Sequence, residues 1–128
     1  MLALLIALIS PEAQACDPGP PVARWSFPED GNPDVGLKQP LQLFLSNANS
    51  GTMDLTVWDA ATDAAIEGNV SNSCPSDPGV GQNCLVTFMP ASGGWPGNST
   101  IGWSISPPQE DLDNGWGQGL SGSFSTTD

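Results

Sequence analysis

From Val22 onward, apolar and polar residues alternate in short bursts, and clusters of turn-forming residues separate the bursts. Side chains two apart share one face of an extended chain, so each burst reads as a strand with one buried side. "VARWSF" places Ala23, Trp25 and Phe27 together, and "PLQLFLS" does the same for Leu41, Leu43 and Leu45. "TMDLTVWD" aligns Met53, Leu55 and Val57, and "AAIEGNV" gives a weaker run through Ile66 and Val70. "CLVTFMP" aligns Cys84, Val86 and Phe88, and "STIGWSIS" aligns Ile101, Trp103 and Ile105. "GLSGSFST" offers Leu120 and Phe124, with Gly122 between them. The intervening stretches, such as "PEDGNPDVG", "PSDPGVGQN" and "PPQEDLDNGWGQG", are rich in Gly, Pro, Asn and Asp, which favour turns. Beyond the first residues no window carries a convincing helical period. "DAATDAA" has alanines suited to a helix but no apolar stripe.

Alternation with one buried face is the signature of antiparallel sheets that pack on each other. About seven antiparallel strands in roughly 105 residues predict an all-β fold, a single immunoglobulin-like sandwich. The Cys…Trp…Cys spacing of antibody domains is absent. Composition agrees with a turn-rich β-domain: 15 Gly and 13 Pro are scattered without a collagen-like period, and only 12% of residues are charged. A chain of 128 residues holds one domain.

The segment "MLALLIALISPEAQAC" changes where that domain is expected to act. An apolar run over residues 2–9 is followed by Ser10-Pro11 and then by the small residues Ala13 and Ala15. That is an h-region and an A-x-A cleavage site, so residues 1–15 read as a signal peptide, although no cation precedes the run. The run is too short to span a bilayer. Residues 16–21 read as a stiff linker, and residues 22–128 as the folded domain. The expected location is outside the cytoplasm, at the cell surface or outer envelope or in the medium.

Export implies an oxidising compartment, which gives the three cysteines meaning. Cys74 and Cys84 flank a loop of turn residues between two strand ends, and are expected to form a disulfide. Cys16 is left over. It follows Ala15 directly, and "AQAC" resembles the lipobox of bacterial lipoproteins, although Ala13 stands where that motif prefers an aliphatic residue such as Leu. The resemblance makes Cys16 a candidate for lipidation. Cleavage by an ordinary signal peptidase, leaving a free Cys16, is the alternative.

Net charge is −12, and Arg24 and Lys38 are the only basic residues. Nucleic acid is excluded as a partner because binding it requires cations that displace counterions from phosphate. A membrane would be reached only through a lipid on Cys16, because an anionic surface repels the domain.

Three stretches, "FPEDGNPDVGLKQPLQLFLS", "LVTFMPASGGWPGNSTIGWSIS" and "DLDNGWGQGLSGSFSTTD", resemble the bacterial Ig-like domain of exported surface and surface-layer proteins. The matching features are Pro28, the Asp30-Gly31 turn, Val35 and Leu37 ahead of the second strand, then Thr87, Phe88 and Pro90. They continue with the Pro96-Gly97 turn, with Asp111 or Asp113, with Asn114-Gly115, and with Phe124-Ser125-Thr126. Their order holds from about Val22 to the end of the chain. Ile101 stands where the family often has Tyr, Trp95 replaces a Leu, and the segment between Cys74 and Cys84 is a local addition. The resemblance implies a non-catalytic structural or interaction module, a spacer or adhesion-type display domain, with a protein or glycan at the cell surface as partner.

The candidate chemistry is sparse. The chain has no His and no Tyr, so a serine triad and a thiol–imidazole pair are both impossible and oxyanion stabilisers are few. No enzyme and no cofactor is expected. Glu110 with Asp111 or Asp113 is the only carboxylate cluster to weigh for glycoside hydrolysis, and it reads as solvated loop. Asp111, Asp113 and Asn114 are candidate Ca²⁺ ligands, but "DLDNGWG" lacks the third acidic position and distal Glu of an EF-hand, and Asp and Asn beside Gly also suit a turn. The tryptophans carry more. Trp25 and Trp103 fall on inward phases and are expected in the core. Trp58 follows the inward Val57 and is expected to face out or to lie at a strand end. Trp95 and Trp116 sit in Gly-rich loops, where they would fold back over the ends of the sandwich. If exposed, Trp58, Trp95 and Trp116 are the candidate ligand contacts, and the alternative function is a carbohydrate-binding module.

Overall fold

A computed structural model describes residues 19–74 and 83–128. The expected signal peptide, Cys16 and the first part of the expected linker lie outside the described residues. Among the described residues there are nine strands and one short helix. The strands are β1(Val22–Phe27), β2(Asn32–Val35), β3(Leu41–Ser46), β4(Asp54–Asp59), β5(Ala64–Ala65), β6(Gly68–Ser73), β7(Cys84–Pro90), β8(Thr100–Ser106) and β9(Leu120–Thr126). The helix is α1(Gln109–Asp113). The smaller sheet has four strands in the order β1-β3-β7-β6, and the larger has five in the order β2-β9-β8-β4-β5. All pairings are antiparallel except that of β2 with β9, which is parallel.

The core lies between the two sheets, where alternation placed it. Leu41, Leu43, Leu45, Val86 and Phe88 from the smaller sheet share one cluster with Val57, Ile101, Trp103, Ile105 and Phe124 from the larger. Full burial of such side chains stabilises the fold by about 1.5–3 kcal/mol each. Gly122 has a packing reason: it pairs with Trp103, and a Cβ there would stand 2.8 Å from the indole Cζ2. The β9 run is therefore interrupted where its neighbour carries a fully buried indole.

Four expectations need correction. The first strand does not keep one phase. A bulge between Ala23 and Trp25 shifts the register, so Ala23 faces in while Trp25 pairs with Phe44 and Phe27 with Gln42 on the outer face. A bulge inserts one residue and so reverses every later side chain. Trp25 is accordingly 48% exposed rather than core, and its ring stacks on Phe44 with centroids 5.6 Å apart.

The "PEDGNPDVG" stretch holds a strand as well as a turn. Gly31, at φ 85°, reverses the chain, and β2 then runs beside β9 with Val35 fully buried. The strand count therefore exceeds the seven expected. The weak run through Ile66 is in fact two strands in different sheets. β5 pairs with β4, the chain crosses over near Ile66, and β6 pairs with β7. Gly68 begins β6 where a Cβ would lie 2.4 Å from the Met89 carbonyl oxygen. Finally, "PPQEDLDNGWGQG" contains α1, although no helical period marks it. It is a single turn, too short for an amphipathic pattern to register.

The expected bridge is present. Cys74 and Cys84 form a disulfide that ties the end of β6 to the start of β7, with Cα atoms 4.2 Å apart.

Candidate functional site

The three tryptophans named as candidate ligand contacts end in three different environments. Trp95 is not a surface residue. It is 3% exposed and lies between the two sheets, stacked on Phe88 and edge-on to Phe124. Its Nε1 donates to the Gln39 carbonyl at 2.6 Å. The indole therefore closes the end of the sandwich and is withdrawn from the ligand contacts. Trp116 remains outside, 46% exposed, in the turn after α1. Its backbone N–H donates to the Asp111 carbonyl, and the flanking Gly115 and Gly117 take positive φ values of 70° and 94°. Because its ring makes no stacking contact among the described residues, Trp116→Ala is expected to change the unfolding free energy by no more than about 0.5 kcal/mol. Chemical denaturation of the two proteins checks this.

The candidate Ca²⁺ ligands do not converge. Asp111 and Asp113 are two residues apart on a helix, a spacing that points side chains away from each other. The Asp113 carboxylate accepts from Gln109 Nε2 at 2.9 Å, and Asn114 Nδ2 donates to the Glu110 carbonyl at 2.9 Å. These side chains brace one helical turn, so the stretch is a capped turn of helix. Among the described residues no group of three or more Asp, Glu, Cys or His is placed to hold a metal.

Trp58 is where chemistry collects. It stands on the outer face of the larger sheet, in register with Gly102 of β8 and, one strand further, Ser123 of β9. The Nε1–Cε2–Cζ2 edge of the indole lies against Gly102, since a Cβ there would come within 2.5–2.7 Å of those three atoms. A glycine at this position lets the indole settle onto the sheet instead of standing off it. The next row of the same face is Thr56, Ser104 and Ser121. On the far side of β9 the Asp30-Gly31 turn docks on Ser123. Gly31 N–H donates to the Ser123 carbonyl at 2.7 Å, and Ser123 N–H donates to Asp30 Oδ1 at 2.9 Å.

The result is a shallow hollow of about 600 Å³ with the indole at one side, hydroxyls across the floor and a carboxylate at the other side. Trp103 also lines it, and its Nε1 is buried without an acceptor among the described residues. The edge of Trp103 that carries this nitrogen lies beside Gly122. A Cβ on Gly122 would be 3.1 Å from Trp103 Cε2 and 3.0 Å from Asp30 Oδ1.

Sequence reading named Trp58, expecting it to face out or to lie at a strand end, but missed Asp30, Ser104, Ser121 and Ser123. Period-two alternation does place the three serines on outward phases. Only the cross-strand register puts them beside Trp58, and register is set by partners distant in sequence.

Compared with protein-family models, curated proteins and solved structures, the chain matches none of them significantly.

Proposed function

We propose that this chain is a non-catalytic, immunoglobulin-like module of an exported protein, acting as a rigid spacer or display body at the cell surface. The observation that carries the reading is the placement of the two ends. The chain enters beside the start of β9, where Ala23 N–H donates to the Gln118 carbonyl at 3.0 Å. It leaves at the other end of β9, where Thr127 N–H donates to the Val35 carbonyl at 3.1 Å. The seven-residue strand β9 that lies between those points is itself roughly 20 Å long. A domain whose ends lie at opposite ends of one strand can transmit force along its strands.

The strand order supports the immunoglobulin-like assignment. With β1, β3, β7 and β6 taken as strands A, B, E and D, and β4, β8 and β9 as C, F and G, the two sheets have the composition of that fold. In this scheme β5 extends the sheet beside C, and β2 runs along G. The leader and the disulfide both favour an oxidising destination. The lack of His and Tyr, with one Arg and one Lys, favours a surface that binds over one that reacts.

Expression of the whole chain in a bacterial host, with fractionation and intact-mass analysis, tests the reading. The expected product is in the envelope or medium, cut before Cys16, and two hydrogens lighter through the disulfide. Additional acyl mass on Cys16 would identify a lipid anchor. An uncut, fully reduced chain retained in the cytoplasm would overturn export.

A further inference from the structure

We propose that the hollow beside Trp58 binds a neutral saccharide. The proposal goes beyond the spacer reading and is independent of it, since a sandwich can hold its ends apart with or without a ligand on its face.

The lining selects the ligand by chemistry. An indole laid against the sheet offers an apolar surface for the C–H face of a sugar ring, and its Nε1 has no acceptor among the described residues. The Ser104, Ser121 and Ser123 hydroxyls line the hollow, and each is both donor and acceptor, as the hydroxyls of a sugar are. Asp30 supplies a charged acceptor, and hydrogen bonds to an ionised group are the stronger kind. Its Oδ1 is held by the Ser123 backbone, so the carboxylate is fixed before a ligand arrives.

The same lining rejects other classes. Neither Arg24 nor Lys38 lines the hollow, so phosphates, uronates and other anions would meet Asp30 without compensation in a chain of net charge −12. A purely apolar ligand would strand the serines and the carboxylate. The hollow is open, which suits a ligand that lies across the strands, such as a stretch of polysaccharide chain, more than a small molecule enclosed on all sides.

Native gel electrophoresis of the whole chain through neutral polysaccharides (β-glucan, xylan, mannan, galactan) and through anionic polygalacturonate tests the proposal. Retardation by at least one neutral polymer and none by polygalacturonate is expected. Trp58→Ala is expected to weaken that retardation by about tenfold or more, as removal of a central aromatic contact does. Ser121→Arg, which fills the hollow from an exposed strand position without touching the core, is expected to do the same with an unchanged circular dichroism spectrum. It carries the test if Trp58→Ala fails to fold. Trp116→Ala is expected to bind as the parent does. Migration unaffected by every neutral polymer, retardation by polygalacturonate alone, or binding that survives Ser121→Arg would each overturn the site. None of these outcomes bears on export or strand order, so the spacer reading would stand.

Discussion

Replacing Trp103 with alanine is expected to lower the unfolding free energy by about 3–5 kcal/mol, a large part of what a domain of this size possesses. Trp103 is the largest of the fully buried side chains. It sits on the central strand β8, with β4 on one side and β9 on the other. Its neighbours cannot collapse into the space, because Ile101, Ile105 and Val57 are themselves buried in the same cluster. The informative partner variant is Trp103→Phe. The indole N–H is buried without an acceptor among the described residues, so phenylalanine removes a donor that contributes no hydrogen bond. Only the lost ring volume remains as a cost, about 1–2 kcal/mol. Urea unfolding of the parent and both variants measures the difference. A phenylalanine variant as unstable as the alanine variant would mean that the N–H does have a partner.

Reduction of the Cys74–Cys84 disulfide is expected to cost about 3 kcal/mol on the chain-entropy estimate for a short loop. The two residues are 10 apart, so the cross-link removes one small loop's freedom from the unfolded chain. The folded state should survive. Cys84 is fully buried beside Leu45 and Val86, where a thiol behaves as a small apolar group. The clean comparison uses a Cys16→Ser background, unfolded in urea with and without reductant. The midpoint should fall, and the slope should rise slightly as the released unfolded chain exposes more surface. Coincident curves would mean that the bridge contributes nothing to stability.

How much was legible in the sequence depended on how local the deciding physics was. In β3, β7 and β8 the inward residues were read correctly, because alternation within six or seven residues is enough to fix a face. The disulfide was legible for a similar reason: two cysteines bracket a turn-forming loop. Trp25 was misread because alternation counts residues, and the bulge after Ala23 is an irregularity in pairing with β3, some twenty residues away. β2 was hidden in a turn-rich stretch. Its extended form depends on the β9 edge that it pairs with, and its one apolar anchor, Val35, is too little for a period.

The candidate site divides in the same way. Trp58 and its outward phase could be read from "DLTVWD", and the outward serines from "SGSFS". That Ser123 shares a row with Trp58 and Ser121 stands in the next one, that Gly102 is the one that makes room for the indole, and that Asp30 reaches Ser123 across 93 positions could not. Trp95 and Trp116 show the limit from another side. Both stand in Gly-rich loops and both could fold back over an end of the sandwich, so local sequence treats them alike. The open end of the core between Phe88 and Phe124 draws Trp95 in, while Trp116 stays half exposed.

By itself the sequence determined the class of fold, the inward residues of most strands, the disulfide and the scarcity of reactive groups, since each follows from residue types and short spacings. The tertiary structure alone decided which strands became neighbours, where the chain crossed between sheets, and which tryptophan stands beside the outward serines. Those outcomes rest on contacts between segments far apart in the chain, whose energies depend on partners that no local window contains.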